Sequence, residues 1–352
     1  MSCATLSKKA PSGGHGGSTT TRTVNSINIA LILASFAIAL YLPFQLFLFA
    51  YAILGPGHYL TEISWLERRR FFTKGGYDPW VLAALALVPS IFATFSFGPV
   101  KLFRSPHDMA AAIGLAFGSA LVFFLTGTRS ARLVGLGLVA AVSLIAVNSS
   151  AFIVLLLALF LPTLIHVYVF TGVFMIFGAL KERSVSGYLA FGCFLVCPLL
   201  YLVLHPGSFG VSDSIVQAYW RPFSNINTAL LGLAPPHSQA QMDENVRRVF
   251  GSDNGLTVMR FIAFAYTYHY LNWFSKTAII KWHKVPGMRL PLLGVMWAAC
   301  IALYLYDSSA AMKVLFCLSF LHVFLEFPLN HMSIVGTARE LRGIGMKLRR
   351  AA

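Results

Sequence analysis

Acidic residues are scarce in this sequence: 12 Asp and Glu stand among 352 residues, and with 27 Lys and Arg the charged fraction reaches only 11%. An ordinary soluble domain carries about 25%. That deficit, with 57% hydrophobic residues and a mean hydropathy of +0.72, excludes a soluble globular protein. The ten-residue alternation of a transmembrane barrel is also missing, so the apolar runs are read as helices long enough to cross about 30 Å of hydrocarbon. Five cysteines, at positions 3, 193, 197, 300 and 317, form no disulfide framework, and Cys193 and Cys197, one helical turn apart, read as small packing residues. No Walker loop, Gly-x-Ser-x-Gly elbow, dinucleotide fingerprint or nucleic-acid-binding motif occurs, and there is no internal repeat.

The sequence therefore predicts an all-α, polytopic transmembrane helix bundle of about nine helices. Its crossings fall near 27–60, 80–98, 109–127, 131–147, 149–179, 187–205, 258–280, 290–306 and 311–335. Residues 1–25, rich in Gly, Ser and Thr, read as a disordered arm. Residues 26–336 form the transmembrane domain, interrupted by an extramembrane insertion at 206–257, and 337–352 form a basic inner tail. The first apolar run is too long for the core of a cleavable signal and is expected to stay as the first helix. It contains Pro43 and Pro56, and a kink near Pro56 would leave His58 beside irregular backbone. Within the insertion, QMDENVRRVF is expected to be a short helix. The apolar first half either covers a substrate entrance at the membrane surface or serves as a connecting loop.

Nine crossings with the N-terminus outside and the C-terminus inside place 17 of the 27 basic residues on the inner face. This agrees with the positive-inside rule. The net charge of +15 is accordingly read as topology and contact with anionic membrane lipid, without a nucleic-acid partner. The expected location is a bacterial inner membrane.

Against this apolar background stand two His-x-x-x-Glu pairs, His58/Glu62 and His322/Glu326. A spacing of four puts imidazole and carboxylate on one helix face, about one turn apart, and ionisable groups at membrane depth are costly. His166 and His269 also fall in apolar segments, so four helices each offer a ligand at matching depth. A lone membrane histidine is usually a hydrogen-bonded packing residue; four with two carboxylates point to a metal site. The expected ligands are His58, Glu62, His166, His269, His322 and Glu326, with His283 and His331 as peripheral additions. Tyr266, Tyr270, Asn272 and Trp273, from the unusually polar stretch YTYHYLNWF, are expected to line the pocket or bond to the ligands. Imidazole with carboxylate, and no cysteine, suits one or two non-haem iron ions, with zinc as the alternative. Glu62 and Glu326 are the candidate catalytic residues.

The ordered segments GPGHYLTE, LIHVYVF, YTYHYLNWF and FLHVFLEF resemble those of the Brp/Blh-type β-carotene dioxygenases, with Glu here where that family carries Asp. The resemblance implies an integral membrane enzyme in which His58, His166, His269 and His322 hold a non-haem iron. It also implies oxidative cleavage of a carotenoid double bond. The expected function is an iron-dependent oxygenase acting on a lipophilic substrate, a carotenoid, isoprenoid or acyl chain, with an electron donor as a further partner. A zinc-dependent membrane lipid hydrolase and a proton-coupled transporter are the alternatives.

Overall fold

The computed structural model describes residues 19–95, 102, 103, 105–207 and 210–351, with side chains described to residue 346. The described residues form helices and no strand. Six helices are long and apolar enough to cross a membrane: Thr19–Tyr41 (α1), Pro106–Leu125 (α5), Arg129–Ser149 (α6), Ala151–Glu182, Arg289–Tyr306 (α14) and Ser308–Met346. The last of these belongs to α15, Ser308–Ala351. Asp78–Thr94 (α4) and Val185–Leu200 (α9) are shorter apolar helices.

The first apolar run departs from its sequence reading as one helix. α1 runs antiparallel to α12, Asp253–Ser275: Tyr268 donates to Asn28 at 3.0 Å near one end, and Arg260 Nε donates to the Leu40 carbonyl at 2.9 Å near the other. Beyond Leu42 the chain runs parallel to the same helix. Phe47 packs on Tyr266 with ring centres 5.0 Å apart, the Tyr59 and Tyr270 hydroxyls lie 2.6 Å apart, and Trp273 donates to Thr61 at 2.9 Å. The chain thus reverses at Leu42, whose backbone (φ −129°, ψ 50°) leaves the helical region just before Pro43. Proline disfavours helical geometry in the residue before it, and Pro43 sets the corner expected at Pro56. At Pro56 the helix only widens: α2 (Pro43–Phe49) passes through a π-helical turn, Ala50–Leu54, into α3, Gly55–Arg68.

Arg260, 1% exposed, ties the corner down. Its guanidinium also donates to the carbonyls of Leu204 at 3.5 Å and Pro206 at 2.6 Å, beyond the end of α9. Polar backbone freed at a helix end is thereby satisfied without water.

Residues 19–25, expected in the disordered arm, are helical; Asn25 donates to Ser184 and Ser186 at 3.3 and 3.0 Å. The arm's residues 1–18 lie outside the described residues. The insertion folds into α10 (Asp213–Leu230) and α11 (Gln239–Gly251), the latter covering the helix expected there. The apolar part is a helix rather than a loop: α10 buries Tyr219 and Phe223, which meet Phe44, Phe47 and Tyr51. The C-terminal stretch continues α15 as helix.

Two apolar clusters fill the bundle. One is built on α1, α2, α9 and α12 around Phe47, Phe194 and Phe264; the other on α3, α4, α5 and α15 around Leu66, Ile113 and Phe324. At Gly57, beside His58, a Cβ would come within 2.5 Å of the Trp297 ring. Trp297 is held by a 2.6 Å bond to the Ile53 carbonyl and stacks on Phe274. Gly57→Ala is therefore expected to push α14 outward and cost about 1–3 kcal/mol, as overpacking does. Thermal unfolding of the detergent-purified variant checks this, and an unchanged Tm would refute the close contact.

Candidate metal centre

Four elements converge at the seam between the two clusters. α3 brings His58 and Glu62, α12 brings His269, and α15 brings His322 and Glu326. His166 lies on a π-helical stretch, Leu156–Phe170, that contains Pro162 and joins α7 (Ala151–Leu155) to α8 (Thr171–Glu182). Pro56 and Pro162 each precede a histidine, and each lacks the N–H that an α-helical turn requires. Widened turns of this kind re-aim side chains and recur at functional sites.

All six side chains are at most 6% exposed. His166 Nε2 and His322 Nε2 lie 3.1 Å apart. Ring centres are separated by 4.7 Å for His58 and His269, 4.9 Å for His166 and His269, 5.0 Å for His166 and His322, and 5.3 Å for His58 and His322. Glu62 reaches His58 Nε2 at 3.0 Å and Glu326 reaches His166 Nδ1 at 3.5 Å. Two groups have ligand atoms within 4.8 Å of one another, His58/His269/His322 and His166/His322/Glu326. His322 belongs to both.

This donor set fits a metal ion on three counts. First, His58 Nδ1 and His269 Nε2 have no hydrogen-bond partner, and His58 Nε2 and His166 Nδ1 face only the carboxylates of Glu62 and Glu326. A buried polar atom left unpaired costs about 1–3 kcal/mol, so this concentration needs a common acceptor of lone pairs. Second, the ion pairs of Glu62 and Glu326 are with histidines only, so two buried carboxylates lack the Lys or Arg that normally balances them. Third, metal–nitrogen bonds of about 2.0–2.1 Å place neighbouring ligand nitrogens roughly 3.0–3.4 Å apart, and the His166–His322 separation falls in that range.

His269 is oriented by a 2.8 Å contact between its Nδ1 and Thr171 Oγ1, which leaves Nε2 turned to the cluster. Thr171→Val is expected to lower metal affinity about 10- to 100-fold, the usual cost of losing such a supporting bond. Competition against a chelator measures it, and unaltered affinity would place His269 outside the ligand set.

Of the peripheral candidates, neither joins the cluster. His331 donates to the Phe117 carbonyl at 2.9 Å, and half-buried His283 sits between α13 (Thr277–Ile280) and α14 beside Trp282. The aromatic candidates divide: Tyr270 and Trp273 have ring centres 5.2 and 5.6 Å from His58, whereas Tyr266 packs on Phe47 and Tyr51 and lines the larger cavity instead. Asn272 accepts from Tyr268 at 3.5 Å and lines a cavity below the cluster. Sequence reasoning missed Tyr59, stacked 4.2 Å from His322, and Thr171. Tyr59 adjoins His58 in sequence; nothing local marks Thr171.

Two cavities flank the cluster. One of about 370 Å³ touches His58, Glu62, His269 and Glu326 and runs towards the ends of α3, α8 and α12. The other, about 930 Å³ and largely apolar, lies towards the opposite end between Tyr51, Tyr266, Ser319 and α10; none of the six lines it, and Thr163, Tyr266 and Ser319 in its wall stand one turn before His166, His269 and His322. The bonded pair Tyr59 and Tyr270 stands beside the cluster.

No family model, curated protein or solved structure matches the chain. Its chemistry must therefore be read from the cluster and its cavities.

Proposed function

We propose that the chain is a polytopic membrane enzyme, a non-haem iron-dependent oxygenase acting on a lipophilic substrate. The observation that carries this reading is the burial of four imidazoles and two carboxylates in one cluster, one helical turn from the wall of a large, mostly apolar cavity. The resemblance of the four His-bearing segments to Brp/Blh-type dioxygenases points the same way. His58, His166, His269 and His322 would hold the metal, joined or braced by Glu62 and Glu326. When bound, iron supplies activation of molecular oxygen. The chain's own part is to hold the imidazoles in fixed tautomers, to seat an apolar substrate and to keep water away. Cleavage of a carbon–carbon double bond with both oxygen atoms entering the two carbonyl products balances without an outside reductant. Hydroxylation with one oxygen atom leaving as water needs two electrons from a donor protein.

The test is incubation of iron-reconstituted protein with carotenoid, isoprenoid and acyl substrates under labelled oxygen. Label in the product, and no product under argon, is expected. Turnover without oxygen by zinc-loaded protein would indicate the hydrolase. Cavities on opposite sides of the cluster are also what a transporter would need, and flux across vesicles by metal-free protein would favour it.

The reversal at Leu42 favours a topology of ten passes, with one more at the N-terminus, that would leave both termini on the same face of a bacterial inner membrane. Lys8, Lys9 and Arg22 then join the inner side, making 20 of the 27 basic residues inner. The positive-inside bias thus strengthens over that of nine passes. Cysteine introduced at exposed Thr20, in a chain with Cys3 replaced by Ser, is expected to resist an impermeant thiol reagent in intact cells and to react in inverted vesicles.

A further inference from the structure

The cavity at the end of α3, α8 and α12 differs from an ordinary apolar pocket in its mouth. Arg69, Lys181 and Lys276, from three separate elements, line it, and none forms an ion pair among the described residues. Arg69 lies over Trp65 at 5.7 Å and Lys181 over Phe177 at 5.9 Å; such contacts hold a cation in place without neutralising it. At the same end of the bundle, two acids are spent elsewhere, Asp78 with Arg132 at 2.9 Å and Glu67 with Arg289 at 2.8 Å, and Glu182 shares an adjoining cavity with Lys276 without an ion pair to it, so three cations face one nearby surface carboxylate. Among the described residues, the carboxylates lining the cavity are Glu62 and Glu326, at its deep end. A surface cavity of about 470 Å³, lined by Arg68, Lys281 and Lys284, shares Trp65 and Arg69 with it, so cationic lining continues outward. Between mouth and cluster the wall is apolar, with Phe174, Leu329 and Met332.

We infer that this cavity binds the ionised head of an amphiphile, a carboxylate or phosphate carried on a hydrocarbon chain, with the chain directed at the His/Glu cluster. Unpaired Lys and Arg at a partly dehydrated mouth recognise such an anion strongly, while the apolar wall takes the adjoining methylenes. Eleven residues separate His58 from Arg69, about 16 Å along a helix, so the reacting carbons lie well inside the chain and not next to the head. This selects an acyl or isoprenoid acid or phosphate over an uncharged carotenoid hydrocarbon. It rests on reading the cluster as the reaction centre.

The test is equilibrium binding of radiolabelled oleate and of oleyl alcohol to the full chain in nanodiscs. Oleate is expected to bind at least tenfold more tightly than the alcohol. K181Q and K276Q should each erase several-fold of that preference, and K276R should keep it. Lys181 is exposed, so K181Q tests the mouth without disturbing the bundle. Equal binding of oleate and oleyl alcohol, or a preference unmoved in both Gln variants, would overturn the inference. So would displacement of oleate by inorganic phosphate at millimolar concentration, which would assign the mouth to a free anion. The same comparison in metal-free H322A separates the two readings. Head preference retained there supports the inference even if the wild-type chain proves to hold no metal. Its absence in a fully metal-loaded wild type overturns this inference alone.

Discussion

Alanine at His322 is expected to abolish metal binding, lowering affinity by more than the roughly 10- to 100-fold seen when only a supporting partner of a ligand is lost. His322 is the residue common to both three-member groups, its Nε2 lies 3.1 Å from that of His166, and Tyr59 stacks on its ring. The methyl group left by the substitution offers no lone pair and opens space beside two buried carboxylates. His331→Ala is the matched control: that ring bonds to the Phe117 carbonyl, nine residues further along the same helix, and its loss should leave metal content unchanged. The remaining ligands then count the ions. With one ion, His58→Ala and Glu326→Ala each lower total metal in step; with two, each retains about half. The overlap of the groups at His322 favours one. Metal content of the purified variants by elemental analysis decides among these results, and His322→Ala protein that retains a full complement would remove this residue from the ligand set.

Arg260→Met should prevent the chain from accumulating in folded form. The arginine is fully enclosed, yet it is paired with carbonyls and not with an acid: Leu40 at the α1–α2 corner, Leu204 and Pro206 beyond α9. Methionine fills similar volume and removes every donor. Each hydrogen bond from a charged donor contributes about 1.5–3 kcal/mol, and a buried carbonyl left bare adds to the loss, so the expected destabilisation is at least about 3 kcal/mol. That is a large share of the 5–15 kcal/mol by which native proteins are typically stable. Arg260→Lys, with a single ammonium in place of a planar fork, should recover only part of it. Membrane-fraction yield and thermal unfolding in detergent report the effect, and wild-type values for Arg260→Met would show that the corner holds without this tie.

The six clustered residues were legible because membrane helices make an ionisable residue conspicuous. His58, Glu62, His166, His269, His322 and Glu326 stand out against Leu, Ala and Val, and the i, i+4 spacing within two helices gave their faces. α3 and α12 carry the site, and neither is among the six helices whose hydropathy alone marks them as spans. The run 27–60 looks continuous because Pro43 and Pro56 are equivalent breakers on paper. Which one turns the chain depends on Phe47, Tyr59 and Thr61 meeting Tyr266, Tyr270 and Trp273 on α12, contacts over 200 residues apart. Thr171 and the cations of the basic mouth were hidden for the same reason, since their partners are distant in sequence. His283 and His331 failed the opposite way, having the right type and approximate depth but facing elsewhere.

Binding of a metal ion by His58, His166, His269 and His322, joined or braced by Glu62 and Glu326, is tested most directly by elemental analysis of the detergent-purified wild-type chain after anaerobic iron reconstitution. One tightly held iron per chain, retained through chelating chromatography, is expected. A chain that retains no iron and no zinc after that treatment, while remaining folded, would contradict it.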